Sequence, residues 1–193
     1  YEMTSSLVGS EMCIRDSTWA VAAYYLFSPF NFLAVFFEQQ DLHAFYDILV
    51  CIKLILCSGA MAYYIERRFK GSLSSLAVIL LSCSYGLMQY NLEQAKNVMW
   101  LDPLCVLPFL LWEGHRLIEG RGMARFSVWA TVALLSNWYM GFIVLLFTGI
   151  WLTWEYVFEK AEGKLIDRNV LIFVGRLGAA ICLGVGLAGF VLV

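Results

Sequence analysis

Asp102 is the residue of this chain whose position most strongly suggests chemistry. It stands in the string MWLDPLCVLPFLLW, directly before Pro103 at the start of an apolar run. A carboxylate at the point where a chain enters a bilayer is costly to desolvate, so it needs a partner or a function. Proline suits the first turn of a helix, where its missing N–H would have no partner anyway. Asp102 is therefore either an acid–base or metal-binding group, or a helix-start residue satisfied by backbone N–H groups.

Lys53 is the second candidate. It lies about halfway along the apolar stretch 42–64, too deep for its ammonium to reach the headgroups easily. One interpretation is an ammonium that faces an inner cavity and pairs with a phosphate. The alternative is an ion pair with a carboxylate such as Glu113 on another helix.

Four further polar or aromatic residues stand near the predicted outward ends of helices: Asn97, Trp100, Asn137 and Tyr139. An amide beside aromatic rings can bind a sugar by hydrogen bonding and stacking. The alternative is an aromatic belt at the membrane surface with a turn residue beside it.

The composition indicates the class of protein that carries these candidates. The chain has 193 residues, of which 61% are hydrophobic and 15% are charged, and its mean hydropathy is +0.73. Soluble domains have about 45–50% apolar and about 25% charged residues. We therefore predict an all-α polytopic transmembrane helical bundle. The net charge is −2, and the chain has no basic cluster of the kind that binds nucleic acid.

Apolar runs predict the membrane helices of a bundle over residues 42–193, at 42–64, 72–90, 103–119, 126–136, 140–158 and 169–193. Two full helices need about 40 residues, and the stretch 126–158 is shorter than that. We favour a short hairpin there that turns at residues 137–141, with its turn buried in protein or facing a wet cavity. The alternative is one long tilted helix, which would invert the membrane orientation of every segment after it.

Basic residues cluster in alternate connections and so predict the orientation. Nine of them follow or precede predicted spans on one side: Arg67, Arg68, Lys70, Arg116, Arg121, Arg125, Lys160, Lys164 and Arg168. The other connections hold only Lys96. We therefore place the loops 66–71, 115–125 and 159–168 in the cytoplasm of a bacterial cell and the acidic connections 38–47 and 91–102 outside its plasma membrane.

The two ends of the chain predict a fragment. Residues 1–17 contain LVGSEMCIRDS, which resembles a translated sequencing adapter and lacks the features of a signal peptide. Residues 18–41 are broken at Ser28 and Pro29, which favours the end of an outer loop with interfacial helices over a span. The last residues stop inside an apolar run, so we expect truncation at both ends.

Several other features have structural explanations. Most cysteines lie in apolar runs without a C-x-x-C pair, so we interpret them as small apolar fillers. The string GVGLAG at 184–189 follows no strand and favours close helix packing over nucleotide binding. Arg176 is expected to snorkel to the cytoplasmic headgroups, and His43 and His115 to be interfacial.

Five strings in a fixed order make the chain resemble the YfhO family of bacterial membrane proteins over about residues 20–193. They are YYLFSPFNFLAVFF, DILVCIKLILCSGAMAYYIERR, SCSYGLMQYN, NVMWLDPLCVLPFLLWEGHRLIEG and LLSNWYMGFIVLLF. That family resembles the GT-C class of polytopic glycosyltransferases, so the resemblance implies a GT-C-like N-terminal portion here. Such enzymes transfer a sugar from a polyprenyl-phosphate donor to an extracytoplasmic acceptor, for which lipoteichoic acid is the example linked to this family.

The resemblance also implies roles for residues. Asp102, in the W-L-D motif, would act catalytically by positioning the acceptor or a divalent cation, and Lys53 would bind the carrier phosphate. The four outward residues listed above would contact substrate. The acidic residue of the first outer loop is expected upstream of residue 18, so this fragment by itself should be inactive.

Two other functions compete with glycosyl transfer. A transporter or lipid flippase would use Lys53, Arg176 and Asn137 to line a translocation path. A non-catalytic membrane scaffold would need Asp102 and Lys53 only for folding. The expected partners are the lipid bilayer, a polyprenyl-phosphate-linked sugar and an extracytoplasmic acceptor, and no nucleic acid.

Overall fold

A computed structural model describes residues 41–160 and 168–192 of the chain. The predicted leader 1–17, all but the last residue of the segment 18–41, and most of the loop 159–168 lie outside these residues. Within the described ranges every element is a helix, which confirms the all-α prediction. The α-helices are α1 (Leu42–Phe69), α2 (Ser75–Gly86), α3 (Gln89–Glu93), α4 (Leu101–Ile118), α5 (Met123–Ser136), α6 (Trp138–Lys160) and α7 (Arg168–Leu192), and a 3-10 helix (Gln94–Trp100) precedes α4.

Three helices are long and apolar enough to cross a membrane, over His43–Phe69, Trp138–Lys160 and Arg168–Gly189. Their outward faces are apolar as well: Ile55 is 70% exposed and Trp154 62% exposed. Large apolar side chains on the outside of a helical bundle are stable against lipid but not against water. The chain is therefore an all-α membrane helical bundle.

Helix α2 occupies only the middle of the predicted span 72–90. Ser74 begins the helix, and its Oγ accepts a hydrogen bond from the Ala77 N–H at 3.3 Å. The helix ends at Gly86, and Met88 is extended before α3 begins. Twelve residues rise about 18 Å, which is less than the hydrocarbon thickness of about 30 Å.

Helix α4 lies at the centre of the bundle and packs against α1, α5 and α6. Twelve of its eighteen residues are buried, because neighbouring helices cover it on several sides. Pro108 lies inside it and has no N–H to offer the carbonyl of Leu104. The Tyr85 hydroxyl of α2 donates to that carbonyl at 2.7 Å. A side chain from a neighbouring helix thus satisfies the backbone group that the proline leaves open.

The stretch 126–158 contains two helices rather than one. The break is at Asn137, whose backbone is extended between α5 and α6. Its side-chain oxygen accepts from the Met140 N–H at 2.9 Å, which begins α6 as an N-cap does. Gly141 allows the two helices to approach closely, since a Cβ there would lie 2.4 Å from the Ala133 carbonyl oxygen. Asn137 is 0% exposed, so the turn is buried in protein.

Helix α7 packs on α5 through small and hydroxyl-bearing residues. The Ser127 hydroxyl donates to the Ala180 carbonyl at 2.8 Å, and the Thr131 hydroxyl to the Gly184 carbonyl at 3.1 Å. A Cβ on Gly184 would lie 2.7 Å from the Ala130 Cβ. The first glycine of GVGLAG therefore serves close helix packing.

Candidate functional site

Lys53 and Asp102, the two charged candidates, form one buried ion pair. Lys53 lies in the middle of α1, and Asp102 lies in the first turn of α4. The Lys53 Nζ is 2.6 Å from the Asp102 Oδ1, and the side chains are 0% and 3% exposed. The two residues are 49 positions apart in the chain, and protein encloses both side chains almost completely.

The backbone before α4 completes the environment of the ammonium. The Lys53 Nζ also donates to the Val98 carbonyl at 3.0 Å, which accepts the Leu101 N–H as well. Asn97 departs from helical geometry, with φ −113° and ψ 62°, so the chain kinks within the 3-10 helix, four residues before α4 begins. This kink places a carbonyl and a carboxylate beside the same lysine.

Glu113 is not the partner of Lys53, contrary to the example given from the sequence. It is bound by Arg116, whose Nη1 lies 3.1 Å from the Glu113 Oε1. Glu113 is eleven residues after Asp102, which corresponds to about 16 Å along a helix. Lys53 meets the start of α4, and Glu113 lies beyond its reach.

The predicted aromatic residues also meet. The rings of Trp100 and Tyr139 have centroids 6.0 Å apart and are inclined at 44°. Tyr139 is 54% exposed, and Trp100 is only two residues before Asp102. The ion pair and an accessible aromatic pair therefore occupy the same end of α4.

The two asparagine candidates differ in their surroundings. Asn97 is half-buried, and its Nδ2 donates to the Gln94 Oε1 at 3.1 Å within the 3-10 helix. Asn137 is fully buried, and its Nδ2 has no hydrogen-bond partner within residues 41–160 and 168–192. A buried amide donor in this situation is costly. The Asn137 Nδ2 is therefore an available donor at the turn between α5 and α6, two residues before Tyr139.

Hydrogen bonds hold the connection between α2 and α4 in place. The Tyr46 hydroxyl donates to the Ala95 carbonyl at 2.6 Å. The Asn91 Nδ2 donates to the carbonyls of Tyr85 and Gly86, each at 3.0 Å. These contacts position the segment that carries the Val98 carbonyl, so the site rests on a supported backbone.

Two thiols adjoin the ion pair and were not recognised as a site from the sequence. The Sγ atoms of Cys57 and Cys105 are 2.8 Å apart. Cys57 is four residues after Lys53, and Cys105 is three residues after Asp102. Residues at these spacings share a helix face, which is the signal that could have paired the cysteines once the ion pair was known.

A second charged cluster lies near the other end of α4, where His115 is thirteen residues from Asp102. Arg68 binds the carboxylates of Glu155 and Glu159, and the His115 Nδ1 is 3.1 Å from the Glu155 Oε1. Among the described residues, these His and Glu side chains are the group close enough to hold a metal. The guanidinium already compensates both carboxylates, and the cluster is about 20 Å from Asp102 along the helix. It gives no support to a cation at Asp102.

Arg176 is exposed and does not join Lys53. Its Nη2 donates to the Gly120 carbonyl at 3.1 Å, in the connection between α4 and α5. That connection belongs to the predicted cytoplasmic loop 115–125. The arginine therefore lies far along the bundle from the ion pair, rather than on a shared polar path with it.

An apolar groove of about 800 Å³ lies between α6 and α7. Trp138, Phe142, Gly149 and Ile181 are among the residues that line it. The groove includes neither member of the ion pair. It has room for a hydrocarbon chain but provides almost no polar contact, so the groove and the charged site are separate features.

Comparisons with known proteins identify the family. The family model described as bacterial membrane protein YfhO matches residues 16–193. A relative from Bacillus subtilis (strain 168), described as the uncharacterized protein YfhO, is 24% identical over 196 residues. The alignment covers 92% of this chain but 22% of the relative, so the chain spans less than a quarter of that protein's length. No solved structure matches the chain. With a family match over nearly its whole length, the chain belongs to the YfhO family of bacterial membrane proteins.

Proposed function

We propose that this chain is part of a membrane glycosyltransferase. The parent protein would transfer a sugar from a polyprenyl-phosphate donor to an extracytoplasmic acceptor such as lipoteichoic acid. The observation that carries the proposal is the Lys53–Asp102 pair, which is buried at the start of α4. Ionisable groups inside a membrane bundle are expensive and commonly mark substrate or ion sites. The chemistry itself is taken from the resemblance to GT-C enzymes, since a fold does not imply a reaction.

Lys53 would act on the donor. In glycosyl transfer the bond between the sugar and the phosphate oxygen breaks, and negative charge develops on the leaving polyprenyl phosphate. An ammonium that is held in place by Asp102 and the Val98 carbonyl would stabilise that charge once the donor phosphate reaches it. A donor phosphate would take over part of the hydrogen bonding that Asp102 now provides.

Asp102 would then act on the acceptor. Once the phosphate shares the ammonium, the carboxylate can accept a hydrogen bond from an acceptor hydroxyl and orient its oxygen toward the sugar carbon. Trp100 and Tyr139 offer faces on which a sugar ring can stack. The Asn137 Nδ2, which has no partner within the part of the chain that the structure describes, offers a hydrogen-bond donor two residues before Tyr139. The main catalytic acid of the parent is expected in the part of the protein upstream of residue 18.

This mechanism requires the start of α4 to face the outside of the cell. We propose that the basic loops 66–71, 115–125 and 159–168 are cytoplasmic, as the positive-inside rule predicts. The rings of Trp100 and Tyr139 would then face the outer surface of the plasma membrane, where a lipid-linked sugar is presented, and Asp102 would lie below them at the depth of Lys53.

The test is sugar transfer by the full-length parent protein in membranes supplied with a labelled polyprenyl-phosphate sugar. We expect Asp102→Asn to abolish transfer, whereas Asp47→Asn, at an exposed position of α1, should leave it unchanged. Because either single change at the ion pair also disturbs folding, Lys53→Met/Asp102→Leu serves as a second variant. It removes both charges together and should fold but remain inactive.

The alternatives predict other results. A folded double variant that transfers sugar at the wild-type rate would contradict a catalytic role and favour the membrane scaffold. Substrate movement across the membrane without sugar transfer, lost in Asp102→Asn, would favour a transporter or lipid flippase.

A further inference from the structure

We propose that Cys57 and Cys105 form a redox modification site, in which a reversible disulfide joins α1 to α4. Their Sγ atoms are 2.8 Å apart, which is less than 1 Å beyond the length of about 2.05 Å of a disulfide bond. The two sulfur atoms therefore already lie close to bonding distance. The inference does not depend on the proposed glycosyl transfer.

The ion pair keeps the two thiols in register. Lys53 precedes Cys57 by one helical turn in α1, and Asp102 precedes Cys105 by slightly less than one turn in α4. The 2.6 Å contact between the charged groups therefore fixes the two helices against each other next to the sulfur atoms. Cys105 also donates to the Lys53 carbonyl at 3.4 Å, so its thiol already points toward α1.

The other cysteines among the described residues have a different environment. Cys51, Cys83 and Cys182 are exposed on the outside of the bundle, where lipid would surround them. Cys57 is 0% exposed and Cys105 is half-buried. Cys105 is therefore the thiol that an oxidant would reach first. Cys57 would then attack the mixed disulfide formed at Cys105.

The reaction is a thiol–disulfide exchange with a second disulfide, either a low-molecular-weight one or one on another protein. The Cys105 thiolate attacks that disulfide, forms a mixed disulfide and releases one thiol. Cys57 then attacks the Cys105 sulfur, which forms the Cys57–Cys105 bond and releases the second thiol. Two electrons and the two thiol protons of the protein pass to the two released thiols.

The disulfide would hold α1 and α4 together where Lys53 and Asp102 meet. We expect oxidation to raise the unfolding temperature of the protein by about 5 °C or more, because the bond closes a long loop in the unfolded chain. A reductant should return the unfolding temperature to its original value.

The experiment uses the full-length parent protein in native membranes, treated with oxidised glutathione or diamide. Remaining thiols are alkylated, and the protein is digested without reduction for mass spectrometry. We expect a linked peptide pair that contains Cys57 and Cys105 and that disappears after treatment with dithiothreitol. The rise in unfolding temperature should be lost in Cys105→Ser and in Cys57→Ser, and kept in Cys51→Ser, the matched control on α1.

Alkylated Cys57 and Cys105 in the oxidised sample would overturn the proposal, as would links made mainly through Cys51 or Cys83. The peptide assay does not depend on whether a serine variant folds, because the decisive comparison is made on the wild-type protein before and after oxidation.

Discussion

Replacement of Lys53 by methionine is the sharpest test of the buried ion pair. Methionine keeps an unbranched apolar side chain in α1 but removes the ammonium. Asp102 is 3% exposed, so its carboxylate would stay buried without the cation 2.6 Å away. Removing one partner of a buried ion pair costs about 3–5 kcal/mol. For a chain of this size we therefore expect the unfolding temperature to fall by about 6–20 °C.

A double-mutant cycle separates the pair from its surroundings. The variants are Lys53→Met, Asp102→Leu and the two changes together, followed by tryptophan fluorescence during thermal unfolding in detergent. The double variant should recover most of the lost stability, because removing both charges leaves no buried group uncompensated. Lys96→Met, at an exposed position of the 3-10 helix, is the control and should change stability by no more than about 0.5 kcal/mol. A Lys53→Met shift no larger than that of the control would refute the reasoning.

Three further predictions concern the bundle around the site. Gly141→Ala should destabilise the protein by about 1–3 kcal/mol, because its Cβ would lie 2.4 Å from a backbone oxygen of α5. Gly149→Ala, in the same helix with its nearest neighbour at 3.9 Å, should be neutral or slightly stabilising; thermal unfolding compares the two, and equal effects would contradict the close approach of α5 and α6. Tyr85→Phe should cost about 1–3 kcal/mol in the same assay, because the Leu104 carbonyl would lose the donor that stands in place of the missing Pro108 N–H. An unchanged unfolding temperature would count against the hydrogen bond from Tyr85 to Leu104. Cysteines introduced at Tyr139 and Arg121 should react with a membrane-impermeant maleimide from outside and from inside the cell, respectively; labelling of both from one side would disprove the proposed orientation.

The local features of the fold were predictable from the sequence. Hydropathy over about 20 residues reflects the thickness of a bilayer, so α1, α6 and α7 stand out without tertiary information. The interruption of the apolar stretch 126–158 at Asn137 was visible because an amide that can cap a helix breaks an otherwise continuous run. The length of α2 was overestimated, since hydropathy does not detect the cap at Ser74 or the extended Met88 that limit the helix.

The site could be predicted only as separate residues. Lys53 and Asp102 were each conspicuous, because a charge in an apolar run is expensive wherever it lies. Which carboxylate meets the lysine depends on the register of α1 against α4, and the example offered from the sequence, Glu113, was wrong. The thiols of Cys57 and Cys105 were interpreted as fillers, because their contact depends on the same register of α1 against α4, which the sequence does not reveal.

The sequence by itself thus determined that this chain is a membrane bundle of helices, which polar groups it carries, and the family to which it belongs. These properties depend on composition and on short-range patterns that each helix carries independently. Only the tertiary structure decided that Lys53 pairs with Asp102, that Tyr85 satisfies the Leu104 carbonyl, and that two cysteines meet. Such contacts join residues on separate helices, and the packing of side chains around α4 sets their register.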